Sequence, residues 1–484
     1  MTEHLYRYRP IKAVLDEFYE LENQEIYFST TDELNDPMEG FKDLFWSGDE
    51  IVWRNLLKHY ILCVLQTAYY CFIAADQFDP NVLRNIVFWV PQELPEAPIR
   101  EIYQRVSNEF LSESVVNTFL SLMAARTTPI RRSELTGYLR VLHGFAMQIV
   151  IKEYHERGLL PPQAQGQAPP QREELRRYAT TVMEGVTKIT SSEYPPERIS
   201  EAFFAANEAI VAQVMLMNEY NLPNRDKQSP ITFLVMTFPT AYVAALERLV
   251  HRDWYVACFA KTAENHSMWS TYAHGHRGVC LMFKTTASAK GTHTLVIERV
   301  TGASGSKGEP MTYSSSEVAH ELTPVRYTAQ YPAIDFFRSL GSISEMYMNN
   351  FWYRGEDGSF SECRESVYAD PDVWRSSYWQ TFGESALYKT PEWAHEEEYR
   401  IVVHSGFDMS TKARRKLKYR FQDLAGVVFG ARTDIEDKLK IMRIIESKCA
   451  KAKRSDFKFF ELRYLPAEFR FQVFPLDLLK IKSS

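Results

Sequence analysis

Leu5-Tyr6-Arg7-Tyr8-Arg9-Pro10 reads as a short strand: it is rich in aromatic residues and stopped by a proline. Glu25-Ile26-Tyr27-Phe28-Ser29 returns to strand chemistry. Between them Val14, Leu15, Phe18, Tyr19 and Leu21 recur at helical spacing. Leu34-Asn35-Asp36-Pro37 then makes a turn, because Asn and Asp bond the local backbone and Pro ends regular structure. Two short strands around one helix cannot bury a core alone, so the rest of their sheet must come from elsewhere in the chain.

It does not come from the next two hundred residues. From about Asp49 to Arg252 the chain is rich in helix formers, with apolar-periodic stretches such as Val115 to Ala125 and Ala202 to Met217. The Pro, Gln and Ala-rich stretch near 161–171 reads as a flexible loop. Strand chemistry resumes after Asp253, at Tyr255 to Ala260, Gly278 to Phe283, Glu398 to Val403 and Leu424 to Gly430. Ile435 to Glu446 reads as a helix, and Phe457 to Leu462 and Phe469 to Phe474 as closing strands. The expected fold is therefore α+β: a split mixed β-sheet core built from both chain ends, with a large helical insertion between them. The expected parts are 1–48, 49–252 and 253–484.

Composition sets outer bounds. With 45% hydrophobic and 24% charged residues over 484 positions, the chain is globular rather than disordered. A net charge of -6 gives no global footprint for nucleic acid. Local basic runs occur from Lys412 to Arg420 and from Lys448 to Arg454; they read as phosphate contacts or as solvated faces. The 6 cysteines form no CxxC pair, which predicts buried free thiols in a reducing compartment. MTEHLYRYRP has no basic-then-apolar leader pattern, and the run Ile61 to Ala75 is too short to span a bilayer. The expectation is a cytoplasmic protein with no membrane association.

Three segments carry candidate chemistry. In Trp393-Ala394-His395-Glu396-Glu397-Glu398-Tyr399-Arg400, a strand would put Glu396, Glu398 and Arg400 on one face. Two carboxylates there raise one pKa or demand a cation, which Arg400 can supply; the alternative is a solvated acidic edge with a local salt bridge. Arg7, flanked by Tyr6 and Tyr8, can hold a phosphate or carboxylate in a fork, or pair with the late glutamates and staple the ends. Ser29-Thr30-Thr31 can orient a ribose or nucleophile, or cap a helix. In Met268-Trp269-Ser270-Thr271-Tyr272-Ala273-His274-Gly275-His276-Arg277-Gly278, Tyr272 can stack on a flat ring or fill a core. The two histidines lack a familiar ligand spacing, so no metal is expected. P-loop, Rossmann, GxSxG and HExxH motifs are absent from the sequence.

These clusters, in this order, resemble a bacterial family known as domain of unknown function 2971. The resemblance rests on Leu5-Tyr6-Arg7-Tyr8, Tyr27-Phe28-Ser29 with Asn35-Asp36-Pro37, Met268-Trp269-Ser270-x-Tyr272-Ala273-x-x-His276-x-Gly278-Val279-Cys280, Lys389 with Trp393-x-x-Glu396-x-Glu398-x-Arg400, and Val427-Val428-Phe429-Gly430. A more distant resemblance is to the ADP-ribosyltransferase superfamily. There Leu5-Tyr6-Arg7 is similar to the first motif, Tyr272 or Ser29-Thr30-Thr31 to the middle one, and Glu396-x-Glu398 to the last.

That second resemblance implies NAD as substrate and ADP-ribosyl transfer to a protein or nucleic-acid acceptor. It implies Glu398 and Glu396 as catalytic residues. Arg7, Tyr8, Ser29, Thr30, Asn35, Asp36, Trp269, Tyr272, His276 and Arg400 would bind the nucleotide. Family members look like bacterial defence or toxin-like components, which implies a partner such as an antitoxin. The alternatives are a nucleotide-sensing or protein-binding regulatory module, and a metal-dependent nuclease built on Glu396, Glu398 and Lys389.

Overall fold

The computed structural model describes residues 3–72, 78–91, 94, 97–160, 172–190, 196–221, 229–287, 292–305, 311–404, 407 and 409–479. The loop expected at 161–171 lies outside them. The chain forms two compact units. One comprises Met1–Phe41, Asp253–Tyr331 and Thr381–Ser484; the other comprises Lys42–Arg252 and Pro332–Gln380. This division departs from the expected one at 42–48 and at 332–380, both of which fall in the second unit. The stretch 332–380 contributes Ala333–Asp335 as a parallel neighbour of Asp43–Trp46, and its Phe336, Phe337, Phe351 and Trp352 join the helical core.

The main sheet of the first unit has, among the described residues, eleven strands: β1 Glu3–Arg9, β2 Glu25–Tyr27, β3 Trp254–Ala260, β4 Val279–Ala287, β5 His293–Ser304, β6 Thr312–Pro324, β7 Glu398–His404, β8 Lys416–Tyr419, β9 Leu424–Phe429, β10 Lys458–Leu465 and β11 Arg470–Pro475. Their order is β11-β10-β9-β4-β1-β3-β7-β6-β5-β8-β2, and a further pairing of β4 with β5 closes a ring of six strands. The two chain ends and the late strands thus share one α+β sheet. β1 lies inside it, antiparallel to β4 along seven residues and to β3 at Tyr6.

Alternation sorts the side chains to two faces. Leu5, Phe259, Leu281, Phe283, Ile401, Val403, Val427 and Phe429 point one way. There they pack with Ile441, Ile445 and Cys449 of the helix Ile435–Ala452. The other face carries Tyr8, Ala260, Cys280 and Val428, covered by Met268 and Trp269 of the short helix His266–Tyr272. All six cysteines are free, five of them buried.

The second unit is helical around one continuous apolar core. Its central helix, Glu50–Phe72, buries residues on every side, including Trp53, Leu57, Tyr60, Ile61 and Val64. That is why its sequence is apolar without a clear polar stripe. His59 is buried between the Tyr242 hydroxyl (2.8 Å) and the Val87 carbonyl (2.9 Å), and burial pushes it down to about 4. Two helices, Arg198–Asn221 and Pro230–Val250, are long and apolar enough to cross a membrane by length and composition; the most apolar stretch of the second is 56% buried and that of the first 11%.

Candidate functional site

On the face of the sheet opposite the long helix, at the start of β7, three carboxylates and two cations are buried together. Lys389 Nζ lies 2.6 Å from Glu396, 3.3 Å from Glu398 and 3.1 Å from Glu39. Arg400 donates to Glu398 through Nε at 2.7 Å and through a terminal nitrogen at 3.0 Å. It also bonds Glu39, and donates to the Ala386 carbonyl at 2.8 Å. Tyr272 Oη donates to the second oxygen of Glu396 at 2.8 Å. None of the five charged residues is more than 5% exposed. The Trp393 ring lies 4.5 Å from Lys389 Nζ, a cation–π contact that walls one side.

Local sequence explains each position. Pro391–Glu396 forms a 3-10 turn with Pro at its start, and Glu397 adopts a left-handed conformation with φ 43°. That reversal, rather than strand alternation, brings Glu396 beside Glu398, because the strand begins only at Glu398. Asn265 caps the helix His266–Tyr272 by accepting from the Met268 amide, which fixes the helix that aims Tyr272. Glu39 arrives from the Asn35-Asp36-Pro37 turn, where Asp36 accepts from the Met38 amide at 2.9 Å and its carbonyl accepts from the Glu39 amide at 3.0 Å. Gly40 closes that turn with φ +75°. A Cβ there would sit 2.4 Å from Thr31 Cγ2 and 2.9 Å from the Trp254 ring.

The electrostatics separate the two adjacent glutamates. Burial alone would push Glu398 up, but the bonded Arg400 guanidinium and then Lys389 outweigh it and hold the carboxyl at about 2. Glu396 is pushed above its ordinary range, because burial and the neighbouring Glu398 outweigh its single cation, Lys389. Charge counting agrees: three carboxylates face two cations, so one carboxylate is left with excess proton affinity. Glu396 is the one without an arginine. Burial pushes Lys389 down, but Glu398 and Glu39 raise it further, so it stays an ammonium. Burial pushes the Tyr272 phenol up, keeping its proton on oxygen.

Of the residues singled out in the sequence, the structure brings together Glu396, Glu398, Arg400 and Tyr272. Arg7 is not among them. Tyr6 pairs with Ala260, and Ala260 with Glu398, so these three share a face and Arg7 points to the other. There Arg7 donates to the Cys258 carbonyl (3.1 Å) and the Tyr27 carbonyl (2.8 Å), and its cation lies over Phe259. Its guanidinium is consumed by the fold, which corrects its expected place beside the glutamates.

Trp269 is likewise corrected. It is wholly buried, donates to the Ala263 carbonyl at 2.7 Å and packs edge-on against Tyr8, so it has no free face for a ligand ring. Tyr8 is buried and donates to the Thr262 carbonyl. Ser29 bridges its backbone to Val256, and Thr30 forms a capping box with Glu33. Asp36 positions Glu39, while one of its oxygens is buried without a hydrogen-bond partner among the described residues. His276 is buried against Phe471 in a left-handed loop and, like exposed Asn35, bonds no member of the cluster among the described residues. In the basic run, Arg415 pairs with Glu33, Arg420 with Glu317, and Lys416 lies over Phe18.

The sequence reading did not single out Glu39 as a site residue, and it treated Lys389 only as a family hallmark and a partner of a hypothetical metal. The signal for Glu39 was its place two residues after the Asp-Pro turn.

Residues 268–401 match a family described as a protein of unknown function (DUF2971). That stretch contains Tyr272, Lys389, Glu396, Glu398 and Arg400. No curated protein matches the chain, and no solved structure does.

Proposed function

We propose, from the premise that residues 268–401 are a DUF2971 segment, that this chain is an enzyme that breaks the N-glycosidic bond of NAD. It would pass the ADP-ribosyl group to a macromolecular acceptor, in the setting of a bacterial defence effector or toxin. The observation that carries the reading is the buried Tyr272–Glu396–Lys389 chain beside an ionised Glu398.

The chemistry follows from the two glutamates' different states. When the glycosidic C–N bond breaks, its electron pair leaves with nicotinamide and positive charge develops on the ribose. Glu398, fixed by Arg400, is a carboxylate that needs no reorganisation to stabilise that charge. The acceptor's attacking atom forms the new bond and must lose a proton. Glu396, a stronger base than an ordinary glutamate, takes it directly or through the half-buried Tyr272 hydroxyl. Lys389 offsets the charge on Glu396 as the proton moves.

The test is incubation of the purified chain with labelled NAD and candidate acceptors. Glu396→Gln keeps the shape and the hydrogen bond from Tyr272 but cannot take a proton. It should remain folded and lose transfer by at least about a hundredfold, and full activity in that variant would sink the assignment. A second reading, a module that binds a nucleotide without turnover, is favoured by one observation: every carboxylate of the cluster already has a cation. NAD bound and recovered intact would decide for it. The nuclease reading would need these carboxylates to hold a metal, and magnesium-dependent cleavage of nucleic acid tests it.

A further inference from the structure

One row of residues runs straight across the sheet from the ionic cluster. Glu398 pairs with Ala260, Ala260 with Tyr6, Tyr6 with Met282, Met282 with Gly426 and Gly426 with Lys458. Directly paired residues share a face, so all six lie on the side that carries the cluster. Beyond β3, Tyr6, Met282 and Lys458 of this row line a cavity of about 530 Å³, within the range that holds small ligands.

The shape of that floor follows from the sequence. Ala260 is small, and a Cβ on Gly426 would lie 2.6 Å from the Lys458 carbonyl and 3.1 Å from Met282. The Tyr6 ring and the Met282 side chain rise between them, and the Phe460 ring lies beside Gly426, 3.2 Å from where its Cβ would be. Tyr6 is half-buried, and among the described residues no hydrogen bond holds its hydroxyl. At the far end stand His4, Lys284 and Lys458; His4 and Lys284 are directly paired across β1 and β4. The carboxylates in the lining are already engaged: Asp456 by Arg454 and Lys284, and Glu264 by the Val473 amide. Lys458 makes no ion pair among the described residues. The trough therefore offers an aromatic platform in its middle and a positive end with an unspent ammonium.

We infer that this trough seats a nucleotide, with the flat base stacked on Tyr6 and the phosphate at Lys458 and His4. Strand spacing puts Tyr6 two strands, about 10 Å, from Glu398, and the Lys458 end of the trough lies on the side of Tyr6 away from the cluster. The inference rests on the nucleotide reading of that cluster, but it concerns binding and is tested by binding.

The experiment is equilibrium dialysis of the full chain with AMP, adenosine and inorganic phosphate. AMP should bind more tightly than adenosine or phosphate, with an affinity that falls as salt rises. Tyr6→Ala should weaken AMP about tenfold through lost stacking, while Tyr6→Phe should not. Lys458→Glu should weaken AMP at least as much and leave adenosine unchanged. AMP binding that ignores both Tyr6→Ala and Lys458→Glu, or no AMP binding at all, overturns the inference. The two readings also separate cleanly. NAD turnover with an unchanged KM in Tyr6→Ala and Lys458→Glu would sink the trough and leave the enzyme. Tyr6-dependent AMP binding without NAD turnover would do the reverse.

Discussion

Replacing Arg400 with Met tests whether the cluster is held as described. Arg400 is fully buried and answers two carboxylates and one carbonyl. Without it, Glu39 and Glu398 face only Lys389, and removing one partner of a buried ion pair costs about 3–5 kcal/mol. A second route gives a similar figure. Glu398 is held from 4.5 down to about 2 chiefly by Arg400, and at about 1.4 kcal/mol per pH step that is about 3 kcal/mol.

The sign with pH follows. In the native chain the depressed carboxyl contributes stability above the unfolded value near 4.3, and that stability is lost as pH falls toward about 2. In the variant only Lys389, shared with Glu39 and Glu396, is left to oppose burial, so Glu398 rises above its unfolded value. The variant is then most stable with Glu398 protonated and loses stability as pH rises through the new folded value. The gap between native and variant should be about 3–5 kcal/mol at pH 7 and should shrink by pH 5. Hydrogen-exchange protection of the β3 and β7 amides reads this locally, which suits a chain of two compact units. A loss below about 1 kcal/mol, or one that does not shrink at pH 5, would refute the reasoning.

Arg7→Met should cost about 2–3 kcal/mol by the same probe, since two buried carbonyls lose a charged donor, yet leave NAD and AMP affinities unchanged; weakened ligand binding in a folded variant would return Arg7 to the site. Gly430→Ala should destabilise the first unit by about 1–3 kcal/mol, because its Cβ would lie 2.3 Å from the His276 carbonyl oxygen; thermal unfolding checks it, and an unchanged midpoint would mean the loop yields. Trp53→Ala should cost about 3–5 kcal/mol in the helical unit, measured by exchange at the amides of the helix Glu50–Phe72, and a small loss would show that its core collapses around the gap.

Much of the fold was legible because its signals are local. The sheet built from both ends followed from strand chemistry at Leu5–Tyr8 and after Asp253, and the structure pairs β1 with β3 and β4. The hairpin of β5 and β6 was missed because Thr312-Tyr313-Ser314-Ser315-Ser316 is exposed and polar, without the alternation that marks a half-buried strand. The place of 332–380 was missed because membership of a core is a tertiary fact.

In the site, the decisive error was one of phase. A strand sends neighbours to opposite faces, and the sequence around Arg7 does not say which face is which. The face with the cluster carries Tyr6, and the charged Arg7 is spent inside. Glu396 reached its place through a left-handed Glu397, which no period-two argument contains.

The proposed chemistry requires Glu396 to hold a proton more tightly than an ordinary glutamate while Glu398 holds one less tightly. Infrared difference spectra of the carboxylic acid carbonyl stretch, followed through a pH titration of the native chain and of Glu396→Gln, measure this directly. The predicted result is a band that persists above the usual glutamate range near 4.3 and vanishes in Glu396→Gln. A titration in which that variant removes only a band at or below the ordinary value would contradict it.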